Sequence, residues 1–383
     1  MTIFNKVMKM DVPKYDGNIH PNEWINDIQK YLKLKKINDD DCLEIAISFV
    51  DPTITLSTEI DSFEKLCNAL KEDISFTVFK NTNEKMLQSL KYIPENRGGN
   101  TSKFISKFRK LCYNAEINDI EEQKKYLYKS LPINHFDSLL VEFYKKMENV
   151  DSINKLIKEF EDFVAYESKL IISESIVALK HVATGNYLSS MENLRYETGI
   201  KSQLVFALGS PEPGPNSLWK IKFNNKELAT YGNTHITLQH VKSNMFLGLN
   251  YGKHYYNTFG DYVYNHYEYF YHKSPTTNYT EVSCNNITNS DYWVKDWEFN
   301  YAKEGNHQDF LKSNDIVNFS IKKMHDNNGK YISTGQYEFL RSHDVQFTIG
   351  KNAFQEVVCH NEKLGENDKW CVELIKQYIW TLD

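Results

Sequence analysis

Several features are missing from this 383-residue chain, and each absence removes a class of protein. Its six cysteines, at 42, 67, 112, 284, 359 and 371, form no Cys-x-x-Cys pair. A zinc ribbon and a redox dithiol are therefore excluded, and free, partly buried thiols are expected. No stretch approaches the roughly 20 apolar residues that span a bilayer. The opening Met1–Asp11 lacks the apolar core of a secretory leader. A soluble, cytoplasmic protein with no membrane span is expected. Basic excess is absent as well. The formal net charge is −6, with 25 Lys+Arg against 29 Asp+Glu in residues 1–174 and 20 against 22 thereafter. Nothing in that balance favours a phosphate backbone, so no nucleic-acid partner is expected. Gly-x-Ser-x-Gly, phosphate-cradling Gly-Lys-Ser/Thr and His-Glu-x-x-His motifs are all missing. Cys371, beside Trp370, has no base identifiable from the sequence. No enzymatic activity, cofactor or metal is expected.

What is present changes character midway. In the first half, Trp24, Ile25, Ile28, Tyr31 and Leu32 fall on one helical face, with Pro21 in the first turn. Asp40–Val50 reads as a second helix, stopped by Pro52. Asp61-Ser-Phe-Glu64 reads as a capping box before Leu66 and Leu70. Phe104, Ile105, Phe108, Leu111, Cys112 and Ala115 form an amphipathic stripe after Gly98-Gly99-Asn100. Asp119-Ile-Glu-Glu122 opens a further helix. A last one carries Ile153, Leu156, Ile157, Phe160, Phe163 and Val164 and is expected to reach about Ile172. The segment 1–172 is therefore expected to be an all-α domain of seven or eight helices.

The order of these signals resembles the capsid region of retrotransposon Gag proteins over residues 12–150. The matching residues are Pro13-Lys-Tyr15-Asp-Gly17, Pro21-Asn-Glu-Trp24, Ser62-Phe63-Glu-Lys-Leu66, Leu87-Gln-Ser-Leu90-Lys, Phe104-Ile-Ser-Lys-Phe108-Arg-Lys-Leu111 and Leu127-Tyr-Lys-Ser-Leu131-Pro132. The resemblance implies helical lobes and a homo-oligomer assembled through this domain. The zinc knuckle and aspartic protease of an active Gag polyprotein have no counterpart here.

From residue 175 a motif returns three times. Ile176-Val-Ala-Leu-Lys-His181-Val-Ala-Thr-Gly-Asn-Tyr187-Leu188 recurs as His235-Ile-Thr-Leu-Gln-His240-Val-Lys-Ser-Asn-Met-Phe246-Leu247. A looser third copy is Val317-Asn-Phe-Ser-Ile321-Lys-Lys-Met-His-Asp-Asn-Asn-Gly329-Lys-Tyr331-Ile332. In that alignment Lys323 takes the histidine position and the turn is two residues longer. Val205, Val282 and Val357 mark a later strand of each copy, and Trp219, Trp293 and Trp370 follow them by 14, 11 and 13 residues. Alternating residues on either side of Gly or Asn turns read as strands. Three such units around a pseudo-threefold axis predict an all-β trefoil over 175–383, with the tryptophans in its core.

The pattern Leu179-x-His181-x-x-Thr184-Gly185-x-Tyr187-Leu188 resembles the MIR domain of protein O-mannosyltransferases and of the inositol-trisphosphate and ryanodine receptors. It is partial at Leu238, His240, Ser243, Asn244, Phe246 and Leu247. The resemblance implies a non-catalytic binding module for a protein or glycan, fused to a self-associating helical domain. Two rivals are a carbohydrate-binding module on a purely structural helical stalk, and an enzyme of unknown class.

Candidate ligand residues follow from the repeat. His181, Thr184, Tyr187 and His240 either contact a ligand at the repeat surface or hydrogen-bond backbone to fix the hairpin. Leu247 to Val282 spans 35 residues, against 17 for Leu188 to Val205 and 25 for Ile332 to Val357. The surplus is rich in Tyr and His. On an extended hairpin Tyr262, Tyr264 and His266 share one face with Glu268 and Phe270. That face would bind a partner or glycan, or pack on the helical domain. A ligand is expected at the first or second unit rather than at all three.

Overall fold

In the computed structural model, the described residues are 14–56, 59–131, 137–197, 201–224, 228–232, 234–257, 265–286, 292–302, 310–325, 330–349 and 351–377. They form two compact units, residues 1–165 and 166–383. None of their helices is long and apolar enough to cross a membrane.

Eight α-helices occupy the first unit among the described residues: α1 Pro21–Leu34, α2 Asp39–Ser48, α3 Phe63–Glu72, α4 Ile74–Gln88, α5 Thr101–Asn114, α6 Ile120–Ser130, α7 Asp137–Met147 and α8 Ile153–Glu167. Their starts obey capping chemistry. Asn100 Oδ1 accepts from Lys103 N–H at 2.8 Å, and Asp119 Oδ2 accepts from Glu122 N–H at 3.0 Å. The cap of α3 is Ser62, one residue later than the sequence pattern indicates: its Oγ accepts from Lys65 N–H at 3.2 Å, while Asp61 pairs with the Lys65 ammonium at 2.6 Å. The apolar faces bury in two clusters, one around Trp24, Ile28, Leu32, Leu66 and Leu70, the other around Phe104, Phe108, Leu127, Phe143 and Phe160. α8 ends at Glu167 rather than near Ile172. Ile171 already belongs to the β unit, where its N–H bonds Leu311 C=O and its side chain joins that core.

The second unit is an antiparallel β-barrel. Its wall is a closed ring of β1 (Ile176–His181), β4 (Trp219–Phe223), β5 (Ile236–His240), β11 (Trp297–Tyr301), β12 (Asp315–His325) and β15 (Trp370–Lys376), each paired with the next and β15 with β1. Three ribbons close one end: β2 (Tyr187–Arg195) with β3 (Gln203–Leu208), β6 (Phe246–Asn257) with β9 (Ser283–Asn285), and β13 (Tyr331–Ile349) with β14 (Asn352–His360). The ribbons pair with one another through β3–β9 and β3–β14. β8 (Thr280–Glu281) also pairs with β14.

Register settles which residues are equivalent. Val177, Ile236 and Val317 each oppose a tryptophan: Trp219, Trp297 and Trp370. Four residues on, His181, His240 and Ile321 oppose Trp370, Trp219 and Trp297. The histidine position of the third copy is therefore Ile321, not Lys323. The return strands start at Tyr187, Phe246 and Phe339, which oppose Lys180, Gln239 and Ser320. The third return is Phe339-Leu340, not Tyr331-Ile332. Tyr331 instead opposes His325 near the end of a long two-stranded arm made by the second half of β12 and the first half of β13. The arm replaces the tight turn, and Gly329-Lys-Tyr331-Ile332 only mimics the return strand in composition. With Leu340 as reference, Leu340 to Val357 spans 17 residues, the same as Leu188 to Val205.

The second tryptophan moves too. Trp219, Trp297 and Trp370 are fully buried. Their indole N–H groups donate to the carbonyls of Leu188, Leu247 and Leu340 at 2.8, 3.1 and 3.0 Å. Trp293 is not in this set; it lies on β10 (Trp293–Val294), opposite Asn250 of β6. Trp297 follows Val282 by 15 residues, close to the spacings of the other two units.

Trp297→Ala should cost about 3–5 kcal/mol, as large-to-small changes in a packed core do. Trp293→Ala should cost less than half as much. Urea unfolding followed by circular dichroism tests this, and equal losses would contradict the assignment of Trp297 to the core triplet.

Candidate ligand cleft

The repeat's histidines are interior groups. His181 and His240 are fully buried. His181 Nε2 lies 2.9 Å from Asn367 C=O and its Nδ1 2.9 Å from Thr184 Oγ1. His240 repeats this with Asn216 C=O at 3.1 Å and Ser243 Oγ at 2.8 Å. Ser243 N–H also points at His240 Nδ1, 3.3 Å away, which makes Nδ1 the acceptor and Nε2–H the donor. Burial lowers the pKa of both rings, so both are neutral at pH 7. The turn beneath each ring needs a left-handed residue, supplied by Gly185 (φ +73°) and Asn244 (φ +56°). The carbonyl partners sit in one-turn 3-10 segments, Pro215–Ser217 and Glu366–Asp368, immediately before the Trp219 and Trp370 strands. Ahead of Trp297 the chain forms β10 instead, and the unit that would clamp it carries Ile321.

Tyr187 is buried, and its hydroxyl donates to Glu373 Oε2 at 3.0 Å. Burial, then this bond, push its pKa up to about 12. His181, Thr184, Tyr187 and His240 thus meet protein groups rather than converging on one opening. Tyr262 and Tyr264 lie outside the described residues. His266 stands on β7 (Asn265–Tyr271), opposite Tyr256 of β6.

An opening of about 300 Å³ lies elsewhere, between the first and third ribbons. Arg195, Tyr196, Glu197 and Leu204 border it from the first ribbon, and Phe347, Thr348, Ile349, Glu356 and Val357 from the third. The loop Ser274-Pro275-Thr276 completes it. Its apolar wall belongs to a cluster separate from the barrel core, in which Leu204, Phe206 and Phe354 pack with Tyr196, Phe347 and Ile349.

The chemically distinctive group is Glu356, only 3% exposed. Ser274 Oγ donates to its Oε1; Thr277 Oγ1 donates to Oε2 at 2.9 Å, and His343 Nε2 lies 2.8 Å from the same oxygen. Burial raises its pKa, but the bonds from His343, Ser274 and Thr277 outweigh burial, and the net shift is downward. Glu356 is therefore an ionised carboxylate at the cleft. It precedes Val357, and the equivalent residues before Val205 and Val282 are Leu204 and Glu281. The repeat marks Val357 on this strand and not its neighbour; the usable signal for Glu356 is a glutamate on a strand whose flanking positions are all buried.

A second buried carboxylate serves the scaffold. Asp368 accepts from Arg341 Nε at 2.8 Å, from His360 Nε2 at 2.8 Å and from Gly365 N–H at 2.6 Å. Burial opposes these bonds, yet they hold its pKa down at about 2. The network fixes the turn whose Asn367 carbonyl receives His181.

No protein-family model matches the chain, and no curated protein matches it. Solved structures similar to it include the SDF2-like protein from Arabidopsis thaliana, at 24% identity over 54% of this chain and 98% of that one, TM-score 0.37. A Caenorhabditis elegans protein with unknown function is similar at 20% identity over 54% of this chain and 98% of that one, TM-score 0.37. The Saccharomyces cerevisiae protein O-mannosyltransferase Pmt1-Pmt2 complex bound to the sugar donor is similar at 17% identity over 70% of this chain and 36% of that one, TM-score 0.36.

Asp368 has a folded pKa below its unfolded value of about 3.9. Its stabilisation is therefore complete above about pH 4 and disappears as pH falls toward 2. Asp368→Asn should remove on the order of 2 kcal/mol at pH 7 and flatten the acid limb of the stability profile between about pH 4 and 2. A variant with the wild-type slope over that range would contradict the role given to Asp368.

Proposed function

We propose that this chain is a non-catalytic binding protein whose β unit is a MIR-like β-trefoil recognising a protein or carbohydrate ligand. The observation that carries this reading is the cleft itself: an apolar wall beside one buried, ionised carboxylate, at a position where the equivalent residue of the first unit is Leu204. Specific pockets combine these two ingredients, area from apolar side chains and orientation from a few fixed polar groups. The trefoil reading is supported by the closed ring, by three ribbons in one register and by the intact motif at Leu179–Leu188.

The wiring at Glu356 supports a binding role over catalysis. Ser274, His343 and Glu356 are residue types of a hydrolase triad. Here both Ser274 and His343 bond the carboxylate, and Ser274 donates to the acid rather than to the imidazole. A serine nucleophile needs its proton taken by a base, which this arrangement does not do. Self-association of the helical unit is the second part of the proposal. It rests on the Gag-like motifs and on three exposed apolar residues of α4, namely Ile74, Val78 and Met86.

Glycan and peptide arrays probed with the full chain test the binding role. Binding to one class should be lost in Thr348→Trp, which fills the cleft from an exposed strand position. Blank arrays of both kinds would contradict it. Light scattering over a wide concentration range should show oligomers that Ile74→Asp with Val78→Asp dissociates; a strictly monomeric wild-type chain would contradict the assembly role.

A further inference from the structure

Among the described residues no lysine or arginine bonds the charge at the cleft; the cation-capable group on it is the His343 imidazole, 2.8 Å away, and Arg195 stands at the cleft border. Of the other buried carboxylates Glu281, Glu338 and Asp368 described in the β unit, two bond a fixed cation: Asp368 meets Arg341 at 2.8 Å, and Glu338 meets Lys323 at 2.6 Å. Glu356 instead bonds two hydroxyls and an imidazole, with no lysine or arginine among its partners in the described residues. Burying an ionised carboxylate is costly, and two hydroxyls and an imidazole offset that cost less fully than a lysine or arginine does. They do fix its orientation and keep it ionised before any ligand arrives.

Counting sites narrows the ligand. A carboxylate offers about four lone-pair positions, and three are used by Ser274, Thr277 and His343. About one remains. A guanidinium prefers to meet a carboxylate through two parallel bonds, whereas an ammonium is a point charge that needs one. Around the carboxylate, Tyr196, Leu204, Phe347, Ile349 and Val357 supply an apolar wall. Such a wall matches the four-carbon stem of lysine, which buries along apolar surface while its head finds an anion. A neutral sugar would leave the charge uncompensated and most of its hydroxyls facing apolar groups.

We infer that this cleft receives the ammonium-tipped side chain of a lysine presented by a partner protein. The inference rests on the cleft being the ligand site proposed above, and it specifies the chemistry of that ligand.

Ligand-observed NMR on the full chain tests it, with n-hexylammonium, n-hexanol, methyl mannopyranoside and the peptides acetyl-Gly-Lys-Gly-amide and its Nε-acetyl-lysine counterpart as probes. Hexylammonium and the lysine peptide should bind and compete with each other. Hexanol and the acetylated peptide should bind at least roughly tenfold more weakly, a difference of about 1.4 kcal/mol. Glu356→Gln should abolish the preference. Thr348→Lys, which adds a cation at an exposed position and leaves the buried bonds intact, should weaken hexylammonium and spare hexanol. Equal binding of hexanol, or of the acetylated peptide, overturns the inference while leaving the cleft a ligand site. Mannopyranoside bound in place of the amine does the same and assigns the site to a glycan. No binding by any probe overturns both readings.

Discussion

Three buried indoles constrain the β unit more than any other group. Each tryptophan N–H is a donor with no access to water, and leaving it unpaired would cost on the order of 1–3 kcal/mol. Each finds the carbonyl of the leucine that follows the first residue of a return strand: Leu188, Leu247 and Leu340. That single bond ties a wall strand to a capping ribbon and fixes where the ribbon begins. The barrel then closes with Val177, Ile236 and Val317 opposite the same three indoles. Chain length elsewhere is free to vary so long as these contacts are kept. The second unit inserts residues after its return strand has started, and the third inserts an arm before its return strand begins.

The clamps on the wall are less evenly shared than the indoles. His181 and His240 hold short turns in front of Trp370 and Trp219, and Ile321 opposes the third tryptophan, where β10 stands instead of a turn. Histidine and turn therefore occur together and are lost together, which is what a structural clamp requires. The cleft exploits a different asymmetry. Its carboxylate sits one residue before a core valine, where the first unit has Leu204 and the second Glu281. A fold that needs only the tryptophans, leucines and valines in register leaves the neighbouring positions open to chemistry.

Much of the architecture was legible in the sequence, because it depends on periodicity. The helical half showed as apolar residues on one face, and the caps at Asn100 and Asp119 showed as polar residues ahead of them. The end of α8 is not legible because Leu170, Ile171 and Ile172 continue the apolar run, yet Ile171 packs in the barrel core. Spacing alone does not separate Trp293 from Trp297; the backbone pairing of Trp297 with Ile236 and Ile321 does. The third copy is ambiguous in sequence for a similar reason. Gly329 and Tyr331 have the composition of a turn and return strand, whereas Phe339-Leu340 lacks a preceding glycine. The chemistry of Glu356 is not legible in the sequence, since its hydroxyl partners Ser274 and Thr277 lie some 80 residues away and come together only through the fold.

The central claim is that Glu356 stands ionised and preorganised at the cleft before any ligand binds. Titrating carboxyl carbons of 13C-labelled glutamate by NMR, with Glu356→Gln to assign the resonance, measures this directly. The expected midpoint lies below the ordinary glutamate value of about 4.3. A midpoint above that value would mean that burial dominates, that the cleft holds a neutral acid, and that the account is wrong.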